Sequence, residues 1–234
     1  MTLHLSQAVL QRRVYNDKVN QRLQATTILR DLDPYIAPDK CAIDVGAATG
    51  HITNYLAPRC KRVFAFEAVE PVYHQLKKME ERHSNVTAFN AAVGDFNGVA
   101  TIYVDDKRLS NSGFQDLVGG PSVQVAAVTL DSVMYDAMDI GFIKVDVEGT
   151  ELEVLKGAAN ILAKQRPNLM VEIYKPFTAH PLEEIFSYLM NGFDYRCFYY
   201  EHPAGLIECR TVEEGVHAVE ELHKIHDGDF LFVQ

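Results

Sequence analysis

Three charged residues alternate along one short apolar run, Lys144, Asp146 and Glu148 in Phe142-Ile-Lys-Val-Asp-Val-Glu-Gly-Thr-Glu151. Alternate residues of an extended strand share a side, so the three gather together just before Gly149 opens the next segment. Charges at the carboxyl end of an interior strand are costly to bury unless paired or liganded. That makes Asp146 and Glu148 candidate proton acceptors and Lys144 a candidate partner cation. A second apolar run, Pro167-Asn-Leu-Met-Val-Glu-Ile-Tyr174, brings Glu172 to the same sheet edge as a third candidate base. A structural ion pair of Lys144 with Asp146 or Glu172 is the competing explanation. His51 and His180 are alternative bases.

Two more acids end apolar runs, and these point to a nucleoside. Asp44 lies in Cys41-Ala-Ile-Asp-Val45, which leads into Gly46-Ala-Ala-Thr-Gly50 and then a helix near Thr49 to Leu56. Gly46 and Gly50 let the backbone approach a ligand, at the strand-to-helix crevice where open α/β sheets hold their ligands. A dinucleotide fingerprint needs a middle glycine to admit pyrophosphate, and Ala48 occupies that place. An adenosine without phosphates, such as S-adenosylmethionine, needs only the tight turn formed by Gly46, Ala47, Thr49 and Gly50. Asp44 would repel phosphate and attract ammonium and sulfonium charges.

Arg62-Val-Phe-Ala-Phe-Glu67 ends in an acid roughly 20 residues beyond Gly46, the spacing of a carboxylate that takes both ribose hydroxyls, with Ala68 beside it. A third run, Val86 to Phe89, leads into Asn90-Ala-Ala-Val-Gly-Asp95. There Ala91 and Ala92 leave room for a flat adenine ring, and Asp95 could accept its amino group.

Taken in order, the segments 44–50, 64–67, 90–95, 129–131, 143–158 and 167–173 resemble the FkbM-type methyltransferase family. The most specific element is the Lys144-x-Asp146-x-Glu148-Gly149 run with Leu155-Lys-Gly157 after it. The resemblance implies S-adenosylmethionine-dependent transfer of a methyl group to a hydroxyl oxygen, on a small molecule, a sugar or a natural-product scaffold. It also implies an α/β Rossmann-like class I methyltransferase fold, a seven-stranded, mostly parallel sheet with an antiparallel last strand and helices on both faces. Two departures stand out. The family commonly has Glu-Pro after the second strand, whereas here the order is Glu67-Ala-Val-Glu70-Pro71, which leaves Glu67 and Glu70 as alternatives for the ribose. Strand phase favours Glu67. Ala48 stands where the family often has Asn.

The elements that must position these residues follow the same alternation. Residues 1–39 read as a helical preface, with Leu23, Ile28, Leu29 and Leu32 near helical spacing and Pro34 and Pro38 breaking it. Residues 40–234 read as the methyltransferase domain. Helices are expected over 71–82, 150–162 and 181–191, the second with a capping box of Thr150 and Glu153. Between the third and fourth main strands lies an excursion: strand-like 98–104 and 123–130 around a polar loop, 105–121, tipped by Ser110-Asn-Ser-Gly113. Such a loop is placed to serve as an acceptor lid, with a plain surface hairpin as the alternative. Residues 193–200 and 229–234 form the terminal pair of strands around a partly helical stretch, 211–226. Tyr199, Tyr200 and His202 form an aromatic group after one of these strands, suited to core and rim packing or to lining an acceptor pocket.

Composition bounds the function. At 234 residues, 47% apolar and 23% charged, the chain reads as one soluble globular domain. Its net charge of −10, with basic residues scattered, weighs against a nucleic-acid substrate. No run of about 18 apolar residues implies a membrane span, and the first residues lack a secretory signal, so the cytoplasm is the expected compartment. Cys41, Cys60, Cys197 and Cys209 lack the paired short spacings of zinc sites or disulfide scaffolds. The acids lack a nearby His in spacing, so no metal is expected. Oligomeric state is not encoded in any motif. Two rival functions remain: a noncatalytic S-adenosylmethionine-binding protein, and an NAD-dependent oxidoreductase that would need the absent middle glycine.

Overall fold

The computed structural model describes residues 29–104, 121–134, 138–174, 179–201, 205–222 and 228–234. Most of the helical preface and the loop tip Ser110–Gly113 therefore lie outside the described residues, as does His202. The strands are β1 (Cys41–Val45), β2 (Arg62–Phe66), β3 (Val86–Phe89), β4 (Ala92–Val93), β5 (Gly98–Tyr103), β6 (Ser122–Val128), β7 (Ile140–Val145), β8 (Asn168–Glu172), β9 (Arg196–Glu201), β10 (Gly205–Cys209) and β11 (Asp229–Val233).

The main sheet has the order β10-β9-β11-β8-β7-β1-β2-β3. Strands β3, β2, β1, β7 and β8 run parallel, and β11 runs antiparallel to both β8 and β9. The reversed final strand is as expected, but the count is eight rather than seven. The extra strand is β10, which forms an antiparallel hairpin with β9 at the outer edge. An edge strand needs only one covered face, and Gly-Leu-Ile-Glu-Cys lacks the continuous apolar run that identified its interior neighbours.

β1 is buried at all five residues, as a strand covered on both faces must be. Helix α1 (His51–Leu56) follows β1, while α2 (Glu70–Leu76) and α3 (Met79–Arg82) follow β2. Their apolar residues Leu56, Leu76 and Met79 pack with Ala42 and Val63 on one face of the sheet. The other face carries α4 (Leu130–Val133), α5 (Glu151–Lys156), α6 (Ala159–Gln165), α7 (Leu182–Met190) and α8 (Val212–Leu222). Helix α7 buries Leu182, Ile185, Phe186 and Leu189, spaced at helical periodicity, and Phe186 meets Phe230 of β11 edge-on at 5.1 Å.

Two helices that the sequence pattern runs together are split. The segment 71–82 divides at Lys77-Lys78, and 150–162 divides at Gly157. At Gly157 the chain passes so near the Gly94 carbonyl that a Cβ would lie 1.9 Å from its oxygen, a contact only glycine permits. The excursion becomes a separate three-stranded sheet, β4-β6-β5. Its Ile102 and Val104 pack on Ala48, Val69 and Val72, which seats it beside the turn that follows β1.

Candidate functional site

The turn after β1 holds three left-handed residues, Gly46 (φ 71°), Ala48 (φ 46°) and Gly50 (φ 85°). This tight path is stitched to the end of β2: Ala47 N–H donates to the Phe66 carbonyl at 2.9 Å, and Ala48 N–H donates to Glu67 Oε2 at 3.0 Å. Ala48 carries a Cβ in a conformation that disfavours one, at a position where the resembling family often has Asn, which tolerates it better. Thr49 is buried, and Gly50 caps α1.

Glu67 is 8% exposed, and both its oxygens face backbone donors, Oε1 taking Val69 N–H at 2.7 Å. Burial pushes its pKa up to about 7, against the pull of those two amides and of Lys144. Glu70, the rival acid, is exposed on α2 and faces His74, so β2 delivers Glu67 rather than Glu70 to the crevice. Ala68 is half-buried next to Glu67, and Asn90 donates to the carbonyls of both residues.

Lys144 lies at the centre of the acids. Its ammonium donates to Asp146 Oδ2 at 2.8 Å and to the Gly46 carbonyl at 3.2 Å, and stands 3.9 Å from Asp44 Oδ1. Asp44 and Lys144 are register partners on adjacent strands and are nearly or wholly inaccessible. The other Asp44 oxygen takes the Thr53 hydroxyl at 2.6 Å, while Oδ1 has no hydrogen-bond partner. Burial raises the Asp44 pKa, and Lys144 and Thr53 counter it only in part. Burial also works against the Lys144 charge, yet Asp146 and Asp44 hold its pKa above the usual lysine value.

Asp146, Glu148 and Glu172 each bring a carboxylate oxygen within 4.8 Å of the others. Asp146 and Glu172 share a hydrogen bond but titrate in opposite directions. Burial disfavours charge on Asp146, but Lys144 and the hydrogen bonds from Glu172 and Lys144 carry its pKa below the usual value. Glu172 is driven well up by burial, by the charge of Asp146 and by Asp229, its register partner on β11. Glu148 adopts φ 57°, a conformation that costs a non-glycine residue on the order of 1–2 kcal/mol. Three such oxygens are the ligand type a hard divalent cation takes, and the Lys144 ammonium lies against one of them.

Other expected residues stand apart from this centre. Asp95 is exposed in the turn between β4 and β5, whereas Ala91 and Ala92 are buried, Ala92 within β4. His180 is clamped between helices, Nε2 at 2.6 Å from Glu153 and Nδ1 at 3.6 Å from Glu184. The capping box does not form. Thr150 makes no side-chain cap, and Glu151 instead accepts the Gly149 N–H at 2.9 Å. Glu151 is buried with its pKa pushed up by burial to about 7, and sequence reasoning passed over it because an acid in the first turn of a helix normally faces water.

Among the described residues no helix is long and apolar enough to cross a membrane. No curated protein matches the sequence. Among solved structures, the FkbM methyltransferase of Methylobacillus flagellatus KT is similar at 17% identity and a TM-score of 0.53, over 96% of this chain and 58% of that one. The chain thus spans little more than half the length of that neighbour, and at this identity the likeness is one of fold. An rRNA methylase from Streptococcus thermophilus follows at 13% identity and a TM-score of 0.48, over 88% of this chain and 94% of that one. M. capricolum TrmK, solved with S-adenosyl-homocysteine, follows at 12% identity and a TM-score of 0.46, over 89% and 67%. Residues 44–197, well over half of the chain, match the family described as Methyltransferase FkbM domain, and the chain belongs to that family of methyltransferases.

Proposed function

We propose that the chain uses S-adenosylmethionine to methylate a hydroxyl oxygen of a small molecule, a sugar or a natural-product scaffold. The observation that carries this reading is Glu67, a buried carboxylate at the tip of β2 bonded to the turn after β1. A carboxylate there suits a ribose, and the surrounding set suits a cationic adenosine: Asp44, Glu67, Asp146, Glu148 and Glu172 face one described ammonium, Lys144. A pyrophosphate would meet repulsion from the same set.

When bound, S-adenosylmethionine supplies a methyl group on an already activated sulfonium leaving group. Glu67 accepts from the ribose hydroxyls. Gly46, Ala47, Thr49 and Gly50 form the wall of the turn, and Ala68 beside Glu67 leaves space toward the adenine. Asp44 contributes negative potential from beneath the turn. Asp146 faces the methionine ammonium. The protein's main task is to hold the acceptor oxygen in line and exclude water.

The acceptor also has to lose a proton. Asp146, Glu148 and Glu172, whose carboxylate oxygens lie within 4.8 Å of one another, are the candidates to receive it. The three-stranded excursion beside Ala48 is the acceptor-selecting element, and the net charge of −10 disfavours a nucleic acid there.

Titration calorimetry tests the reading. Adenosylhomocysteine should bind the wild-type chain, and Glu67→Ala should weaken it by about 1–3 kcal/mol, the loss of a charged hydrogen-bond partner. Binding of NADH in place of adenosylhomocysteine would overturn the assignment.

A further inference from the structure

We propose that Cys197 and Cys209 are a redox pair that closes to a reversible disulfide when the protein meets hydrogen peroxide. Cys197 on β9 lies directly opposite Cys209 on β10 in an antiparallel pair. Such partners point to the same face with Cα atoms about 4.5–5.5 Å apart, inside the roughly 4.4–6.8 Å that a disulfide spans. Both thiols are free and buried, and they hydrogen-bond to one another. They sit in the core beneath Ala218 and Val219 of α8.

The other two cysteines lack this relationship. Cys41 faces Arg62 across β1 and β2, two residues beyond Cys60. The two pairs thus provide an internal comparison within one chain.

The members of the proposed pair differ chemically. The thiol hydrogen bond from Cys197 draws the Cys209 pKa below its ordinary value, against burial, while burial pushes Cys197 well up. Cys209 lies on the outermost strand, where opening of the sheet edge exposes it first, and it is the nucleophile. Its sulfur attacks one peroxide oxygen: an S–O bond forms, the O–O bond breaks, and the departing hydroxide leaves as water with the Cys209 proton. The Cys197 sulfur then attacks the sulfenic sulfur: the S–S bond forms, the S–O bond breaks, and the hydroxyl leaves as a second water with the Cys197 proton. Two thiols lose two electrons and one peroxide becomes two waters. A dithiol returns two electrons and two protons.

Access follows from topology. β10 is the outermost strand of the sheet, so local opening of the β9–β10 hairpin bares both sulfurs while the strands carrying Glu67 and Asp146 stay paired. Closure then pins that hairpin.

The test treats the full chain with hydrogen peroxide, alkylates it under denaturing conditions and maps the peptides by mass spectrometry. The expected product is a 197–209 cross-link lighter by two hydrogens, with Cys41 and Cys60 alkylated, reversal by dithiothreitol, and a thermal midpoint raised by about 5 °C. Cys197→Ser should stop at a sulfenic acid on Cys209 that dimedone traps. Four alkylated thiols, sulfinic or sulfonic acid at either position without a cross-link, or a cross-link between chains would each overturn the proposal. The wild-type peptide map decides even if a variant fails to fold.

Discussion

Gly46 and Asp146 are in backbone contact: a Cβ built on Gly46 would lie 1.7 Å from the Asp146 carbonyl oxygen. The turn that follows β1 and the loop that follows β7 therefore form one unit, tied further by the Lys144 ammonium on the Gly46 carbonyl. Gly46→Ala adds that clash to a φ of 71°, and neither atom belongs to a side chain that can swing away. The expected cost exceeds about 3 kcal/mol, with adenosylhomocysteine binding lost. Urea denaturation at the wild-type midpoint would show that the two loops separate without penalty.

Lys144 neutralises acids that burial makes expensive. Lys144→Met leaves Asp44, fully enclosed, and Asp146 without the cation that pairs with them among the described residues. Breaking such a pair from one side costs about 3–5 kcal/mol. The deficit should shrink on acidification, since protonation removes the stranded charges. Denaturation curves at pH 5 and pH 8 measure this, and an equal loss at both would mean that Lys144 acts by packing rather than by charge.

The carboxylates of Glu67 and Glu151 are both pushed up to about 7 from an ordinary 4.5. For a raised pKa, the stabilising contribution is fully present below 4.5 and is lost as pH climbs through 7. The ligand-free chain should thus lose on the order of 3 kcal/mol per carboxylate between pH 5 and pH 8. Asp146 has the opposite sign, its lowered pKa mattering only in acid below the ordinary value of 3.8. Ribose hydroxyls donate best to an ionised Glu67, so adenosylhomocysteine should bind more tightly at pH 8 than at pH 6, with proton release. Glu67→Gln should flatten that slope, and a slope that survives the substitution would point to another titrating group.

The parts of this arrangement legible in the sequence were those fixed by strand phase. β1, β2, β7 and β8 are apolar runs with an acid at or near the tip, and alternation alone placed Lys144 with Asp146 and favoured Glu67 over Glu70. β10 was missed because an edge strand need not be continuously apolar. The helix breaks at Lys77-Lys78 and Gly157 were missed because periodicity continues across them, while the contact of Gly157 with Gly94 depends on a strand more than sixty positions earlier. The expected box of Thr150 and Glu153 does not form: Glu153 meets His180 instead, and the Gly149 amide meets the Glu151 carboxylate. The facing of Cys197 and Cys209 arises only once the hairpin register is set.

Glu172 and Glu148 should respond differently to amide substitution. Glu172 shares a hydrogen bond with Asp146, and a glutamine amide can donate to Asp146 without titrating. Glu172→Gln should therefore keep adenosylhomocysteine binding, equal or exceed wild-type stability at pH 8, and slow methyl transfer by less than about tenfold. We expect Glu148→Gln to remove the base among the three acids, and a general base contributes about 10²–10⁴ in rate. Single-turnover transfer of labelled methyl, with an acceptor found in a panel of hydroxylated sugars and natural products, separates the two. A large loss in Glu172→Gln beside near-normal Glu148→Gln would move the base to Glu172, and would mean that the proton shared with Asp146 is given up during turnover.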